Sequence, residues 1–259
     1  MNNLHIPDIL DVLDRERRAL GPAEGLGGLV REWAPDRSEC RIVFSHCTTD
    51  ELAGVIRDEQ ARASAEGYAL EWKTYGHDGP TGLADALADA GFEADDEETV
   101  LVLELGEPAL AVFDQAAAGL PGLEIRAVRD RAGLADVAAV SRQIGRRNVE
   151  AETERLAALL DGAAEKVSIH VAYLDGEPAS CGRLHYGRTP GVAELAGGRT
   201  VTTHRNKGLF TALVGSRLRE AAEAGGRYVF VDALPTSEPI LVKRGFNPVT
   251  STRPFTYED

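Results

Sequence analysis

The sequence has little cysteine, no long apolar run and a shortage of positive charge in its first half. Its three cysteines, Cys40, Cys47 and Cys181, have no metal-ligand spacing and cannot all pair with one another. We therefore predict buried free thiols in a cytoplasmic protein without a metal site. No stretch approaches the roughly 18 unbroken apolar residues of a membrane-spanning helix, and acids interrupt the apolar residues near the N-terminus. The sequence therefore predicts no signal or transit peptide and no membrane partner.

Positive charge is unevenly distributed along the chain. Residues 1–120 carry 25 acids and 9 lysines or arginines, whereas residues 121–259 carry 17 acids and 19 lysines or arginines. A nucleic-acid partner is not expected, because binding to a phosphate backbone requires a basic surface. An anionic cofactor would favour the C-terminal half. The acidic half either attracts a positively charged ligand, such as an amine, by long-range electrostatics or only keeps the protein in solution.

The most informative segment runs from residue 201 to residue 246. A strand-like Val-Thr-Thr leads into the turn His204–Gly208, and an amphipathic helix then begins at Leu209 and ends near Gly225. A buried strand and the corner Gly245-Phe246 follow. Amide groups at the start of a helix point outward unpaired, and the helix dipole places positive charge there. This turn is therefore suited to hold phosphate.

The elements before this turn form a regular series. Asp175-Gly176 joins two strands and is a strong hairpin signal. The predicted order is a strand, two helices and three strands: Leu123–Val128, Arg131–Gly145, Glu150–Leu160, Val167–Leu174, Pro178–Tyr186 and Val192–Val201. The stretch Leu105–Gly122 contains proline and glycine and is predicted to be a linker. The chain is therefore expected to have two domains, residues 1–120 and 121–259.

The Arg205-x-x-Gly208 turn, its helix, the next strand and the Gly245-Phe246 corner resemble the acyl-CoA site of the GCN5-related N-acetyltransferases. The resemblance covers the whole C-terminal half, where the order of elements is that of this family. It implies an α/β chain with a mixed α+β sheet, whose residues 121–259 have the acyl-CoA N-acyltransferase fold.

The N-terminal half repeats part of this order. Its predicted elements are a helix over Glu51–Glu66, a strand over Tyr68–Tyr75, a helix over Gly82–Ala90, a corner at Gly91-Phe92 and a strand over Thr99–Leu105. Residues 46–50 stand where an Arg-x-x-Gly turn is expected. We interpret this half as a degenerate acetyltransferase-like domain in a tandem arrangement that does not bind CoA. An unrelated α/β domain is the alternative.

In the family, backbone amides of the turn hold the pyrophosphate of CoA. The resemblance assigns this role to Arg205, Asn206, Lys207, Gly208, Leu209, Phe210 and Thr211. Gly208 matters most, because a side chain there would block the approach of phosphate to the backbone. Phe210 departs from the small residue that is usual in the family, and its ring either crowds the pyrophosphate or packs into the helix interface.

The pantetheine arm of CoA is expected to pair with the preceding strand near Gly198 and Thr200. Gly197-Gly198 inside a strand pattern indicates a bulge, which would let two parallel strands splay apart. A backbone N–H near Thr200 or Val201 is expected to polarise the thioester carbonyl.

The catalytic residues are assigned from the same resemblance. Glu194 is the predicted general base for the acceptor amine, and Asp232 is the second choice. Leu241 stands where the family commonly has a tyrosine that protonates the CoA thiolate, so water is the expected proton donor. His170 and His185 lie at core positions of strands and are interpreted as structural.

These assignments predict an enzyme that transfers an acetyl group from acetyl-CoA directly to a primary amine, without a covalent enzyme intermediate. The acceptor is a small molecule or a protein, and the oligomeric state is open. A non-catalytic acyl-CoA-binding regulator or scaffold is the main alternative, and a longer acyl donor or a hydroxyl acceptor is another. Other enzyme classes are disfavoured, because the sequence has no serine–histidine–aspartate elbow and no dinucleotide-binding fingerprint.

Overall fold

The computed structural model describes residues 4–24, 28–34, 36–163 and 166–258. Within these ranges the chain has the mixed α+β architecture predicted from the sequence. Its elements are α1 (Ile6–Ala19), β1 (Ala23–Glu24), β2 (Leu29–Trp33), β3 (Glu39–Phe44), α2 (Leu52–Glu66), β4 (Ala69–Tyr75), α3 (Leu83–Asp89), β5 (Glu93–Ala94), β6 (Glu98–Glu104), α4 (Glu107–Ala118), β7 (Leu123–Val128), α5 (Leu134–Gln143), α6 (Val149–Ala163), β8 (Val167–Leu174), β9 (Glu177–Tyr186), β10 (Val192–Thr200), α7 (Leu209–Glu223), β11 (Tyr228–Ala233), α8 (Glu238–Val242) and β12 (Asn247–Tyr257).

The described chain divides into two compact units. The first contains the residues up to Leu101, the segment Asp232–Glu238 and the residues from Pro248 onward. The second contains Val102–Val231 and Pro239–Asn247. These units do not follow the boundary after residue 120, which stays a prediction about domain organisation.

The first unit is built on strands in the order β1, β2, β3, β4 and β12, with β5 beside β12. Only β3 and β4 run parallel among these described pairs; the others are antiparallel. Trp72 of β4 is fully buried with Ile42 of β3, Ile56 of α2 and Leu87 of α3. The alternating pattern of β4 follows from this core, since every second side chain points into it.

The second unit has strands in the order β11, β10, β9, β8 and β7. Here β10 and β11 are parallel and the other pairs are antiparallel. Ile169 and Val171 of β8 join a core with α5 and α6, whereas Ala172 joins a core with Leu209 and Leu213 of α7. Helices therefore cover both faces of β8, which explains why its sequence is apolar almost throughout.

The predicted linker over Leu105–Gly122 is wrong, because most of it forms helix α4. Pro108 lies in the first turn, where its missing N–H breaks no helical hydrogen bond. Leu110 and Phe113 are buried, so α4 has an apolar stripe that packs. Phe113 contacts Gly215 of α7 so closely that a Cβ there would lie 2.7 Å from Phe113 Cβ.

The strands predicted around the hairpin are confirmed. β7 and β8 have the predicted bounds, and β9 and β10 differ from them by one residue at one end. Asp175 and Gly176 both have left-handed backbone conformations, with φ of 53° and 86°, as a two-residue hairpin turn requires.

The two units share an internal order of elements. The series β3, α2, β4 and α3 in the first unit matches β10, α7, β11 and α8 in the second. In each series the two strands are parallel and pair at four positions. A Gly-Phe corner follows each short helix, and both Phe92 and Phe246 are buried. The order predicted from the sequence for the two halves is therefore present in the backbone.

Candidate functional site

The turn between β10 and α7 presents a row of unpaired amides. Asn206 and Gly208 have left-handed conformations, with φ of 61° and 91°, and α7 begins at Leu209 without a side-chain cap. The first helical hydrogen bond runs from Ala212 N to Gly208 O at 3.0 Å. Across the described ranges, the six amides from Asn206 to Thr211 have no hydrogen-bond partner. Unpaired N–H groups at the positive end of a helix dipole form an anion site made of backbone.

Basic side chains surround this turn. Arg205 is exposed, and its Nε donates to Thr200 O at 3.4 Å. Lys207 is also exposed, and its Nζ lies 3.4 Å from His204 Nδ1. The charges of Arg205 and Lys207 therefore add to the field of the helix N-terminus. The roles assigned to Arg205–Thr211 remain predictions.

The matching turn of the first unit has an anion of its own. Thr48 N donates to Glu51 Oε2 at 2.8 Å, and Thr48 Oγ1 donates to the same oxygen at 2.9 Å. These hydrogen bonds lower the pKa of Glu51, with the bond from the Thr48 amide the larger cause. Glu51 N in turn donates to Thr48 O at 3.1 Å. A carboxylate of the chain therefore lies at the start of α2, where the second unit presents unpaired amides.

β10 and β11 run in parallel and then separate. Their last paired position is Leu195 with Val231, and no pairing between the two strands is found beyond it in the described residues. β10 continues to Thr200, and its register against β9 shifts across Gly197-Gly198. The bulge predicted at these glycines is confirmed. The edge of β10 that faces β11 is therefore open from the bulge to the turn.

Amides of β10 beyond the bulge alternate in direction. Val201 N donates to Ala179 O at 2.9 Å, so this amide faces β9. Neighbouring residues of an antiparallel ladder face opposite sides, so the Thr200 N–H points to the side where β11 no longer pairs. Of the two predicted donors to a thioester carbonyl, Val201 is therefore wrong, and Thr200 has the required direction.

The ring of Phe210 is half-buried and lies against the bulge. A Cβ added to Gly198 would lie 3.2 Å from Phe210 Cε2, so the ring packs over a residue without a side chain. Of the two interpretations of Phe210, this contact favours packing between α7 and β10.

The two predicted bases lie on neighbouring strands. Glu194 is exposed on β10, next to the last position that pairs with β11, and His185 of β9 is its register partner. Asp232 follows Val231 on β11, and its carboxylate forms an ion pair with Lys73 Nζ. An ammonium group therefore holds the carboxylate of Asp232, the second choice as base.

Leu241 and His170 are both buried. Leu241 is 1% exposed and has no ionisable group. His170 contacts Ser216 Oγ with Nδ1 at 3.0 Å and Glu220 Oε2 with Nε2 at 2.5 Å. Burial lowers the pKa of His170 despite the opposing attraction of Glu220. Both ring nitrogens are used, which supports the structural interpretation of this histidine.

An arginine cluster beside the bulge was not predicted from the sequence. It consists of Arg183 on β9, Arg199 on β10 and Arg217 on α7. Arg199 Nη1 donates to Glu152 Oε2 at 2.7 Å and to Ser141 Oγ at 2.8 Å. The hydrogen bond from Arg199 is the main cause that lowers the pKa of Glu152. A charged residue inside each strand pattern was the signal that could have identified Arg183 and Arg199.

Arg217 is the most deeply buried member of the arginine cluster. Its Nη1 donates to Arg183 O at 2.9 Å and its Nε to Leu213 O at 3.2 Å. Among the described residues no carboxylate forms an ion pair with it. Burial lowers the pKa of Arg217 to about 10. The cluster therefore holds more positive charge than the neighbouring carboxylates balance.

Asp14, His77 and Asp78 form the group of residues with metal-ligand spacing found in the described part of the first unit. Arg17 Nη1 donates to Asp14 Oδ1 at 2.7 Å, and Arg17 Nη2 donates to Asp78 Oδ2 at 2.9 Å. The Arg17 guanidinium group already forms hydrogen bonds with both carboxylates, so we assign no metal to them.

Several solved structures have the same fold. A GCN5-related N-acetyltransferase from Kribbella flavida matches with a TM-score of 0.67 over 98% of this chain and 96% of its own, at 17% identity. A conserved protein of unknown function from Staphylococcus epidermidis matches with a TM-score of 0.63, covering 94% and 88% of the two chains at 13% identity. A tandem GNAT protein from the clavulanic acid biosynthesis pathway matches with a TM-score of 0.60, covering 90% and 79% at 18% identity.

No protein-family model and no curated protein sequence matches the chain. The structural likeness nevertheless extends over nearly the whole chain, and it includes a protein with two such domains in tandem. The chain therefore has the fold of the GCN5-related N-acetyltransferases, as the Arg205-x-x-Gly208 turn predicted.

Proposed function

We propose that the second unit is an N-acetyltransferase of the GCN5-related family, which moves an acetyl group from acetyl-CoA to a primary amine. The row of unpaired amides from Asn206 to Thr211 carries this proposal, because it offers an anion site beside two parallel strands that separate. The first unit is the degenerate copy of a tandem pair. Its Glu51 carboxylate occupies the helix start and would repel a phosphate.

The residues of the turn suit the phosphates of CoA. The amides of Asn206–Thr211 would donate to phosphate oxygens, and Arg205 and Lys207 would add positive charge. The open edge of β10, from Gly198 to Thr200, offers main-chain groups to the amides of the pantetheine arm. Acetyl-CoA supplies the activated thioester.

Two groups of β10 would carry out the transfer. The Thr200 N–H would donate to the carbonyl oxygen of the thioester, where negative charge develops. Glu194 would accept the proton of the attacking amine, directly or through one water. The new C–N bond forms as the C–S bond breaks, and the thiolate takes its proton from water because Leu241 has none to give.

A second candidate function is an acyl-CoA-binding regulator without turnover. The replacement of the usual tyrosine by the buried Leu241 favours this candidate, since no side-chain acid stands at that position. Release of free CoA in the presence of a set of amines separates the two functions. Binding of acetyl-CoA without amine-dependent CoA release would support the regulator.

The test of the phosphate site is the melting temperature with and without acetyl-CoA. At about one hundred times its Kd, acetyl-CoA adds roughly 2.7 kcal/mol of stability, which corresponds to an increase of about 5–10 °C. Gly208→Ala is expected to weaken acetyl-CoA binding at least about tenfold and so to remove about half of this increase or more, because its Cβ would stand between the phosphate and the amides.

The matched control for this variant is Gly225→Ala. Gly225 has φ of 83° and lies at the other end of α7, with open space where a Cβ would be added. Both variants should lose about 1–2 kcal/mol of stability from a strained backbone, but only Gly208→Ala should lose the shift with acetyl-CoA. An unchanged shift in Gly208→Ala would contradict the phosphate site.

We also propose a cytoplasmic location. Cys40, Cys47 and Cys181 are buried and unpaired, which supports a reducing compartment. Burial raises the pKa of the Cys181 thiol to about 11, so this thiol is not a nucleophile at neutral pH. Within the described ranges, none of the helices has the length and apolar character to span a bilayer.

A further inference from the structure

We propose that Arg183 binds a carboxylate that the acceptor carries close to its amine, so that the acceptor belongs to the class of amino acids and short peptides. This inference rests on the proposed acetyl transfer. It adds the chemical class of the acceptor and names the residue that selects it.

The first observation is the charge around Arg183. The arginine cluster contributes three guanidinium groups, and the carboxylates that act on Arg183 are those of Glu152 and Glu194. Arg199 already takes both oxygens of Glu152, and Arg183 Nη1 reaches it only at 3.4 Å. A poorly hydrated positive charge without a full partner costs free energy, and an incoming anion relieves this cost.

The second observation is the state of the guanidinium group itself. Arg183 Nε is buried and has no hydrogen-bond partner, and no hydrogen bond of Nη2 is found within the described ranges. The side chain is 23% exposed, so part of it, though not Nε, is open to solvent. Burial lowers the pKa of Arg183, against the attraction of the two carboxylates. A carboxylate at Nη2 would supply a charged hydrogen-bond partner that this group lacks.

The third observation is where the guanidinium group lies. A Cβ added to Gly197 would be 3.0 Å from Arg183 Cζ, so the group lies over the bulge where β10 and β11 separate. Arg183 pairs in register with Ala196, and Glu194 is two residues away on the same strand face. The proposed base and the carboxylate anchor are therefore diagonal neighbours on one face.

This spacing favours an acceptor whose amine and carboxylate are separated by only a few bonds. The amine nitrogen forms the new bond to the acetyl carbon, the thioester C–S bond breaks and the amine proton passes to Glu194. The carboxylate is not consumed and acts only as a handle. A bare alkylamine would leave the charge of Arg183 without its anion.

The experiment compares L-leucine with L-leucinamide as acceptors for the wild type, Arg183→Lys and Arg183→Gln. We expect the wild type to favour the acid by at least tenfold in kcat/KM, although the amide has the less basic and more readily deprotonated amine. Arg183→Gln should reduce this preference to about one, with a larger loss of kcat/KM for the acid than for the amide. Arg183→Lys should retain part of the preference. Arg126→Gln, an exposed strand arginine of the same unit, is the control and should behave as the wild type.

Three outcomes overturn or separate the proposals. The carboxylate site is overturned if the wild type shows no preference for the acid. It is also overturned if Arg183→Gln lowers kcat/KM equally with both acceptors, which would point to an effect on the thioester. If no acceptor is acetylated, the melting shift caused by each compound in the presence of CoA is measured. An Arg183-dependent shift with leucine alone supports the carboxylate site while the proposed transfer fails, and equal shifts overturn both.

Discussion

Replacing Glu194 with glutamine is expected to lower kcat for acetyl transfer by about 100- to 10,000-fold, the usual contribution of a general base. Glutamine keeps the size of the side chain but cannot accept the proton of an attacking amine. Because Glu194 lies on β10 before the bulge and the amides of the turn lie after it, acetyl-CoA binding should not change. The measurements are kcat from CoA release and the melting shift with acetyl-CoA.

Glu177→Gln is the matched control for this variant. Glu177 is an exposed carboxylate at the start of β9, in the same sheet and unit as Glu194. Replacing Glu177 removes the same charge from the unit. It should change kcat by less than about twofold, because Glu177 acts on the site only through screened long-range electrostatics. Equal losses in both variants would assign the effect of Glu194→Gln to net charge and would contradict its role as base.

Local patterns were sufficient to predict the backbone of the candidate site. Asp175-Gly176 predicted the hairpin, Gly197-Gly198 predicted the bulge, and the Arg205-x-x-Gly208 spacing predicted the start of α7. Each depends on backbone conformations that few residues other than glycine adopt readily. Such features are determined by neighbours in the sequence, so a single sequence is enough to find them.

Features that depend on distant residues were missed or misassigned. Helix α4 was predicted as a linker because proline and glycine flank it, although its apolar stripe packs against Gly215 of α7. The direction of the Val201 amide depends on Ala179 of β9, which nothing near Val201 in the sequence indicates. The arginine cluster likewise joins β9, β10 and α7. Pairing and packing partners of this kind are visible only in the folded chain.

Arg17→Met is expected to destabilise the first unit by about 3–5 kcal/mol at neutral pH, because it leaves a buried carboxylate without its partner. Arg17 is 2% exposed, and it donates to Asp14, to Asp78 and, through Nε, to Val43 O at 2.9 Å. Its Cζ also lies 3.8 Å from the centre of the Tyr75 ring. Methionine keeps the apolar stem and removes all of these charged contacts.

The loss should depend on pH through Asp78. Burial raises the pKa of Asp78 despite the attraction of Arg17, and removing Arg17 raises that pKa further. Because this pKa is above the unfolded value, the folded variant takes up a proton more readily as the pH falls. The stability lost in Arg17→Met is therefore largest above the raised pKa of Asp78 and becomes smaller as the pH falls through that pKa.

The measurements are denaturant unfolding curves of Arg17→Met between neutral and mildly acidic pH, with Arg18→Met as control. Arg18 is on the same helix, but its side chain is 55% exposed and reaches Asp14 only at 3.7 Å, so its loss should cost less than about 1 kcal/mol. The double variant Arg17→Met/Asp78→Asn should recover most of the stability, since the buried charge is gone. A penalty that is independent of pH and persists in the double variant would mean that Arg17 acts by packing alone.

The result bears on function because of where Arg17 donates. Val43 follows Ile42, the last position at which β3 pairs with β4, so the guanidinium group occupies the place where these two strands separate. The matching place in the second unit, beyond Leu195, has an open strand edge. In the first unit, Arg17 therefore occupies the place where the strands separate, and the Glu51 carboxylate occupies the start of the helix. A stability loss with the expected pH dependence would show that ion pairs within the chain stabilise this place in the first unit. Arg17→Met alone should not let the first unit bind acetyl-CoA, because the Glu51 carboxylate remains at the start of α2.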